Sequence, residues 1–138
     1  MNVLSILDSD MAGVCEAIID GSIGKVDFKR RATVCKYIVP EGYGLQSAGS
    51  QRLEVDEKGI NKLGALLYYA AVNERDGGIY TTSSRSVGLV GIAETIEDAE
   101  RICEKAALHV SGEHIYHRRD IGTMELIQSK LEGMKALR

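Results

Sequence analysis

The sequence predicts an α+β domain in which antiparallel strands are flanked by helices. The first and last parts of the chain show helical periodicity, while the middle alternates short apolar runs with turn residues. Strands in succession followed by helices are typical of α+β domains rather than of doubly wound sheets. At 138 residues the chain suits one domain with a real core.

The first predicted element is a helix over residues 9–20. Ser9 or Asp10 is expected to cap it, because either side chain can accept a hydrogen bond from the first turn, and Gly21 ends it. A polar linker follows over residues 22–31. The helix carries one apolar stripe, formed by Met11, Val14, Cys15, Ile18 and Ile19.

Two strands are predicted next. Residues 32–39 alternate β-branched and polar side chains, and Pro40 is expected to stop the strand. A glycine-rich loop follows over residues 41–51 and leads to a short strand over residues 52–55.

A hairpin and a buried strand complete the predicted sheet. The apolar run 63–72 suits a strand better than a helix, and the turn signal 73–78 returns the chain through residues 79–82. Residues 87–92 are expected to form a buried strand, in which Gly88 and Gly91 permit close backbone approach.

Helices flank the C-terminal part of the sheet. Thr95 begins a capping-box pattern that predicts a helix to about residue 109, with one apolar face formed by Ile96, Ala99, Ile102, Cys103 and Ala106. A short extended piece over residues 115–117 precedes a last helix over residues 123–137. The last helix is expected to direct these residues inward: Leu126, Ile127, Leu131 and Met134.

Composition excludes several classes of function. The net charge of −3 and the absence of tryptophan argue against nucleic-acid binding. No apolar run approaches the roughly 20 residues of a membrane span, and residues 1–7 lack the features of a signal peptide. These observations favour a cytoplasmic protein.

The three cysteines are expected to be free thiols. Cys15, Cys35 and Cys103 lie far apart in apolar surroundings, which fits neither a disulfide framework nor a zinc site. Buried structural thiols are the favoured interpretation, and a catalytic Cys–His pair is the alternative.

The run His117-Arg118-Arg119-Asp120-Ile121-Gly122-Thr123 is the best candidate for a functional site. Guanidinium groups bind phosphate or carboxylate with two parallel hydrogen bonds. Thr123 is placed to cap the next helix, whose N-terminal amides also favour anions. The segment therefore predicts a small anion pocket. The alternative is that both arginines are solvated or paired with Asp120.

The three histidines raise the question of a metal site. His109, His114 and His117 lie close in sequence, but their spacing crosses a helix end and a strand. Capping and surface roles are therefore favoured over metal binding, and His109 suits a helix C-terminus.

Three segments in order resemble the C-terminal domain of phosphoribosylamine–glycine ligase, also called glycinamide ribonucleotide synthetase, in its archaeal form. They are residues 31–43 (RATVCKYIVPEGY), residues 85–99 (RSVGLVGIAETIEDA) and residues 118–123 (RRDIGT). The resemblance spans nearly the whole chain. It implies a small, mostly antiparallel β barrel-sandwich with flanking helices, the C-terminal domain of an ATP-grasp ligase.

The resemblance also implies a reaction and a division of the chain. The family joins glycine to 5-phosphoribosylamine with ATP in purine biosynthesis, through an acyl phosphate. Residues 1–30 would be the helical tail of the ATP-grasp region with a linker, and residues 31–138 the substrate-side domain. By analogy with related ligases, Arg118, Arg119, Asp120 and Gly122 would bind the substrate phosphate, with Asp120 orienting the arginines.

ATP and magnesium would be held by the ATP-grasp part, which is the expected partner of this domain, fused or separate. No cofactor or metal site is expected within the chain itself, and catalytic residues are not assigned. Ala93 and Gly44 depart from the residues usual in the family. The alternative functions are a non-catalytic interaction domain and an independent anion-binding module.

Overall fold

The computed structural model describes residues 1–47 and 49–137 and places in them four helices and eight strands. The helices are α1 (Met11–Ile19), α2 (Glu57–Lys62), α3 (Ile96–Ala107) and α4 (Met124–Ala136), with a 3-10 turn over Val3–Ile6. The strands are β1 (Ala32–Pro40), β2 (Arg52–Val55), β3 (Leu66–Tyr69), β4 (Val72–Arg75), β5 (Gly78–Thr81), β6 (Val87–Ala93), β7 (Val110–Gly112) and β8 (Ile115–Tyr116).

The strands form two antiparallel sheets, which confirms the predicted α+β class. One sheet has the order β3-β6-β1-β8 and the other the order β4-β5-β2-β7. The central pair of the first sheet, β1 and β6, is in register from Ala32 opposite Ala93 to Ile38 opposite Val87. β8 pairs with the end of β1, so Val39 lies opposite Tyr116. This pairing brings the segment after β8 close to β1.

The predicted hairpin forms, but its turn is shorter than expected. Asp76 and Gly77 alone turn the chain between β4 and β5, both with positive φ, as a two-residue hairpin turn requires. The predicted single strand over residues 63–72 is wrong. Only residues 66–69 form β3 in the first sheet, and Val72 already begins β4 in the second, because the chain changes sheets at Ala70 and Ala71.

Helix α3 packs on β1 and β6 and forms the core with them. Ala99, Cys103 and Ala106 are fully buried, as the predicted face requires. Ile96, the first residue of the helix, is exposed instead. The helix ends two residues earlier than predicted, and strand β7 follows it directly.

The terminal helices form but bury less than their patterns suggest. Asp10, not Ser9, caps the start of α1. The helix ends at Gly21, whose φ of 65° lets Ser22 N–H donate a hydrogen bond back to the Ala17 carbonyl. No residue of α1 is buried, and Val14 is the one member of its apolar stripe that is even partly covered. In α4, Leu131 and Met134 are exposed, so the prediction that they face inward is wrong.

The cysteines are free, as predicted, but they differ in burial. Cys103 is buried, and its thiol donates to the Leu89 carbonyl at 3.2 Å. Burial raises the pKa of Cys103 to about 11. Cys35 is half-buried, whereas Cys15 is exposed on α1, so its predicted burial is wrong.

Within the described part of the chain, no helix combines the length and hydropathy needed to cross a bilayer. Ala48, inside the predicted loop over residues 41–51, and Arg138, the last residue, lie outside the described residues.

Candidate anion-binding site

A cavity with a volume of about 570 Å³ opens beside β1. That volume is in the range of small-molecule sites. Its lining combines tyrosines with two arginines, Arg85 and Arg118, which come from different parts of the chain. The tyrosines of the lining are Tyr37, Tyr43 and Tyr116. Lys36 also belongs to the lining. Two guanidinium groups in a wall of tyrosines and mostly apolar residues suit an anion of modest size.

Arg118 reaches this cavity from the corner between β8 and α4, which we define as residues 117–123. Its Nε donates to Asp120 Oδ1 at 3.0 Å and its Nη2 to Asp120 Oδ2 at 2.5 Å. This two-point pair raises the pKa of Arg118 and lowers the pKa of Asp120. Arg118 is therefore both paired with Asp120 and part of the cavity wall. Pairing with Asp120 is thus compatible with a role in an anion pocket.

Arg119 does not line the cavity of Arg118 but a different depression, with His117 and Asp120. Its side chain is 79% exposed, and its Nε lies 3.9 Å from Glu104 Oε1. The structure thus brings Asp120 together with Arg118, while Arg119 pairs loosely with a carboxylate of α3.

Gly122 attaches the corner to the first sheet. Its φ of +85° is favourable for glycine, and a Cβ at this position would lie 2.8 Å from both methyl carbons of Val34. The corner can approach β1 this closely only because residue 122 has no side chain. Thr123 then caps α4 by accepting a hydrogen bond from Leu126 N–H, as predicted.

Arg85 is a site residue that the sequence analysis does not identify. It lies between β5 and β6, and its guanidinium stacks over the Tyr37 ring at 5.1 Å. Nothing in its local sequence distinguishes it from a solvated arginine. Only the pairing of β6 with β1 brings it to the cavity that Arg118 lines.

Lys36 is the second unpredicted polar residue of this region, and its side chain is fully buried. Its Nζ donates to Glu100 Oε1 at 2.7 Å, to Glu104 Oε2 at 2.6 Å and to the Arg119 carbonyl at 2.8 Å. Burial by itself lowers the pKa of Lys36, but the hydrogen bonds to the two carboxylates outweigh it and the pKa is raised.

Comparison with known proteins agrees with the motifs. Residues 33–124 match the sequence model of the family described as phosphoribosylglycinamide synthetase, C domain. The chain belongs to this family. The synthetase C domain thus contains both sides of the cavity, since Tyr37 of β1, Arg85 and Arg118 all lie in the matched residues.

Full-length relatives show how much of a longer protein this C domain represents. The phosphoribosylamine–glycine ligase of Methanothermobacter thermautotrophicus is 49% identical over 138 residues, which is all of this chain and 31% of the relative. The ligase of Methanocaldococcus jannaschii is also 49% identical, over 140 residues and 31% of its length. The chain therefore spans about a third of the curated relatives that it matches.

A solved structure confirms the fold of the C domain. Phosphoribosylamine–glycine ligase from Thermotoga maritima superposes with a TM-score of 0.71 at 23% sequence identity. The match covers 87% of this chain and 29% of that one. The two sheets and flanking helices are thus the fold of this domain in a distant relative.

The three histidines of the C domain lie apart, each beside its own carboxylate. His109 contacts Asp56 at 3.0 Å, and His114 contacts Glu41 at 3.0 Å. His117 contacts Glu104 at 3.2 Å. In the part of the chain that the structure describes, no three histidine, cysteine or acidic side chains are grouped to hold a metal ion.

The contacts of Glu104 predict how the stability of the C domain depends on pH. Burial raises its pKa, but hydrogen bonds from Lys36 and His117 outweigh burial and lower the pKa from 4.5. A depressed pKa in the folded state adds stability above pH 4.5, and this contribution is lost as the pH falls through the folded value. We expect Glu104→Gln to reduce the melting temperature at pH 7 and to flatten its decline below pH 4.5.

Thermal unfolding measured by circular dichroism between pH 7 and pH 3 tests this prediction. Glu94→Gln is the matched control, because Glu94 pairs with Arg31 but its side chain is 70% exposed. Equal acid profiles for Glu104→Gln and the unmodified chain would show that the buried pairing contributes nothing to acid stability.

Proposed function

We propose that this chain is the substrate-side domain of a phosphoribosylamine–glycine ligase and binds the phosphate of 5-phosphoribosylamine. Family membership and the similarity to the archaeal ligases support the enzyme assignment. The observation that carries the phosphate assignment is the presence of Arg118 and Arg85 in one cavity of about 570 Å³.

The proposed contacts follow from guanidinium chemistry. Asp120 occupies the Nε and Nη2 edge of Arg118, so a phosphate would approach the Nη1 side or displace the carboxylate. Arg85 would supply a second charge from the opposite side, held in orientation by Tyr37. Arg119 would add charge from the neighbouring depression, and Gly122 would shape the corner through its backbone.

In the complete ligase, the remaining steps would belong to the ATP-grasp part. That part would bind ATP and magnesium and convert glycine to an acyl phosphate, which the amine of phosphoribosylamine attacks. The role of this domain is to hold the amine substrate by its phosphate, so that the nitrogen faces the acyl carbon. The product would enter de novo purine synthesis.

The same proposal includes the finer organisation of the chain. Residues 1–30 would be the tail of the ATP-grasp region with its linker, and residues 31–138 the C-terminal domain with a barrel-sandwich arrangement of its sheets. The partner is the ATP-grasp part, fused or separate. The enzyme would be cytoplasmic and would bind neither nucleic acid nor membranes.

A non-catalytic interaction domain or an independent anion-binding module is the alternative function. The names of the full-length relatives favour the ligase. Steady-state kinetics of the complete enzyme containing this domain separate the alternatives, because only the ligase consumes ATP in the presence of glycine and phosphoribosylamine.

We expect Arg118→Ala to raise the KM for phosphoribosylamine about ten-fold or more, because a hydrogen bond to a charged group contributes about 1.5–3 kcal/mol. The KM values for ATP and glycine should change little. Arg118→Lys should recover part of the loss, since an ammonium keeps the charge but not the planar geometry. These kinetics are measured in the complete enzyme with each substrate varied in turn.

Arg101→Ala is the matched control. Its side chain is 57% exposed and paired with Asp98, whereas Arg118 is 55% exposed and paired with Asp120. If Arg118→Ala and Arg101→Ala have the same phosphoribosylamine kinetics, Arg118 is a structural partner of Asp120 and does not bind the substrate.

A further inference from the structure

We infer that Lys36 is a positioning residue that sets the place of Arg118 in the cavity by holding the backbone of the corner, residues 117–123. The inference rests on the proposed role of Arg118. It adds a residue that lies on a different strand and whose ammonium acts through the Arg119 carbonyl.

Lys36 acts on the position of Arg118 through its hydrogen bond to the Arg119 carbonyl. The peptide group of this carbonyl joins Arg119 to Asp120, the residue whose carboxylate holds the Arg118 guanidinium at two points. The 2.8 Å hydrogen bond from Lys36 Nζ therefore sets the orientation of the peptide that precedes Asp120. A rotation of this peptide would move the carboxylate and Arg118 with it.

Helix α3 holds the lysine in place from the other side. Glu100 and Glu104 accept from Nζ at 2.7 and 2.6 Å, so the three donors of the ammonium all have acceptors. Glu104 also approaches the corner directly, through His117 at 3.2 Å and Arg119 at 3.9 Å. One ammonium thus joins β1, α3 and the corner.

Stability alone does not explain a lysine at this position. Transfer of a charge into the core is costly, and apolar residues of similar volume often replace buried ion pairs without loss of stability. What an apolar side chain cannot supply is a donor for the Arg119 carbonyl. Gly122 on Val34 provides a second attachment of the corner to β1, but Gly122 follows Asp120 in the chain, whereas the Arg119 carbonyl precedes it.

The effect of Lys36 should appear in substrate binding rather than in the chemical step. We expect Lys36→Met in the complete enzyme to raise the KM for phosphoribosylamine about five- to ten-fold, because displacement of a positioning group weakens binding without removing the charge of Arg118. The kcat and the KM values for ATP and glycine should stay within about two-fold. Amide hydrogen exchange over residues 118–122 should become faster.

A second variant protects the test against misfolding. Lys36→Met/Glu104→Gln removes one positive and one negative charge, so the net charge of the Lys36, Glu100 and Glu104 group is unchanged. We expect the same rise in KM from this double variant. Ile60→Ala is the control for a merely structural effect, because Ile60 is the fully buried residue of α2 and makes no hydrogen bond or ion pair with the corner among the described residues.

Each pattern of results decides the question. A higher KM for both Lys36 variants but not for Ile60→Ala supports positioning. An unchanged KM for the Lys36 variants, with a raised KM for Arg118→Ala, overturns the inference and leaves the proposed function intact. A rise shared with Ile60→Ala that follows the loss of melting temperature also overturns it. If Arg118→Ala has no effect, the proposed function fails and the inference fails with it.

Discussion

Gly91→Ala is expected to lower the free energy of unfolding by about 3 kcal/mol, at the upper end of the usual cost of overpacking. Gly91 lies on β6 opposite Val34, beneath helix α3. A Cβ at this position would lie 2.0 Å from the Ala99 carbonyl oxygen and 3.0 Å from the Cys103 nitrogen. Both atoms belong to the helix backbone, so α3 as a whole must move away from the sheet to accept one methyl group.

The measurement is urea unfolding followed by circular dichroism, with Gly133→Ala as the control. Gly133 lies in α4, and a Cβ there meets nothing within 4 Å. Its replacement should stabilise the helix by about 0.5–1 kcal/mol, because alanine has the higher helix propensity. If Gly91→Ala unfolds at the same urea concentration as the unmodified chain, α3 does not approach β6 as closely as the structure shows.

Gly91 also shows which parts of the fold a sequence can predict. Its strand and helix α3 are predictable, because a short apolar run with glycines and a Thr95 capping pattern are local signals. Thr95 indeed accepts from Asp98 N–H at 3.1 Å, and Thr123 caps α4 in the same way.

The wrong secondary-structure predictions arise because a local pattern does not show which other element a strand or helix packs against. The strand predicted over residues 63–72 is apolar throughout, and nothing local indicates that its two ends join different sheets. The apolar stripe of α1 is a true helix pattern, but periodicity does not reveal whether another element covers it. Helix α2 had a usable signal, since Asp56 accepts from Gly59 N–H at 2.9 Å as an N-cap.

The residues of the candidate site also differ in how far the sequence predicts them. Arg118 and Asp120 are predictable as a pair because they lie only two positions apart in the sequence. Arg85 and Lys36 are not, because their roles arise from tertiary structure: Arg85 reaches the cavity through the β1–β6 pairing, and Lys36 meets its acceptors across α3 and the corner. In the sequence, Lys36 is simply the polar member of an alternating strand.

The pairing of β1 with β6 places Lys36 opposite Leu89, and truncation of Leu89 is expected to cost almost as much as Gly91→Ala. Leu89 has no exposed surface, and its carbonyl accepts the hydrogen bond from Cys103 at 3.2 Å. Leu89→Ala removes three buried carbons and leaves a cavity between sheet and helix. The loss of transfer free energy and the cavity together cost about 2–5 kcal/mol in comparable cores.

We expect Leu89→Ala to fall near the lower end of this range, at about 2–3 kcal/mol, because the neighbouring Leu67 of β3 is only half-buried and can shift to fill part of the space. Urea unfolding measures the change. Leu108→Ala is the matched control, since the Leu108 side chain ends α3 but is 72% exposed, and its truncation should stay within about 0.5 kcal/mol. Similar losses for the two leucines would mean that β6 is not the centre of the core. A large loss for Leu89→Ala alone would confirm that β6 and α3 form the support on which β1, Lys36 and the corner are held.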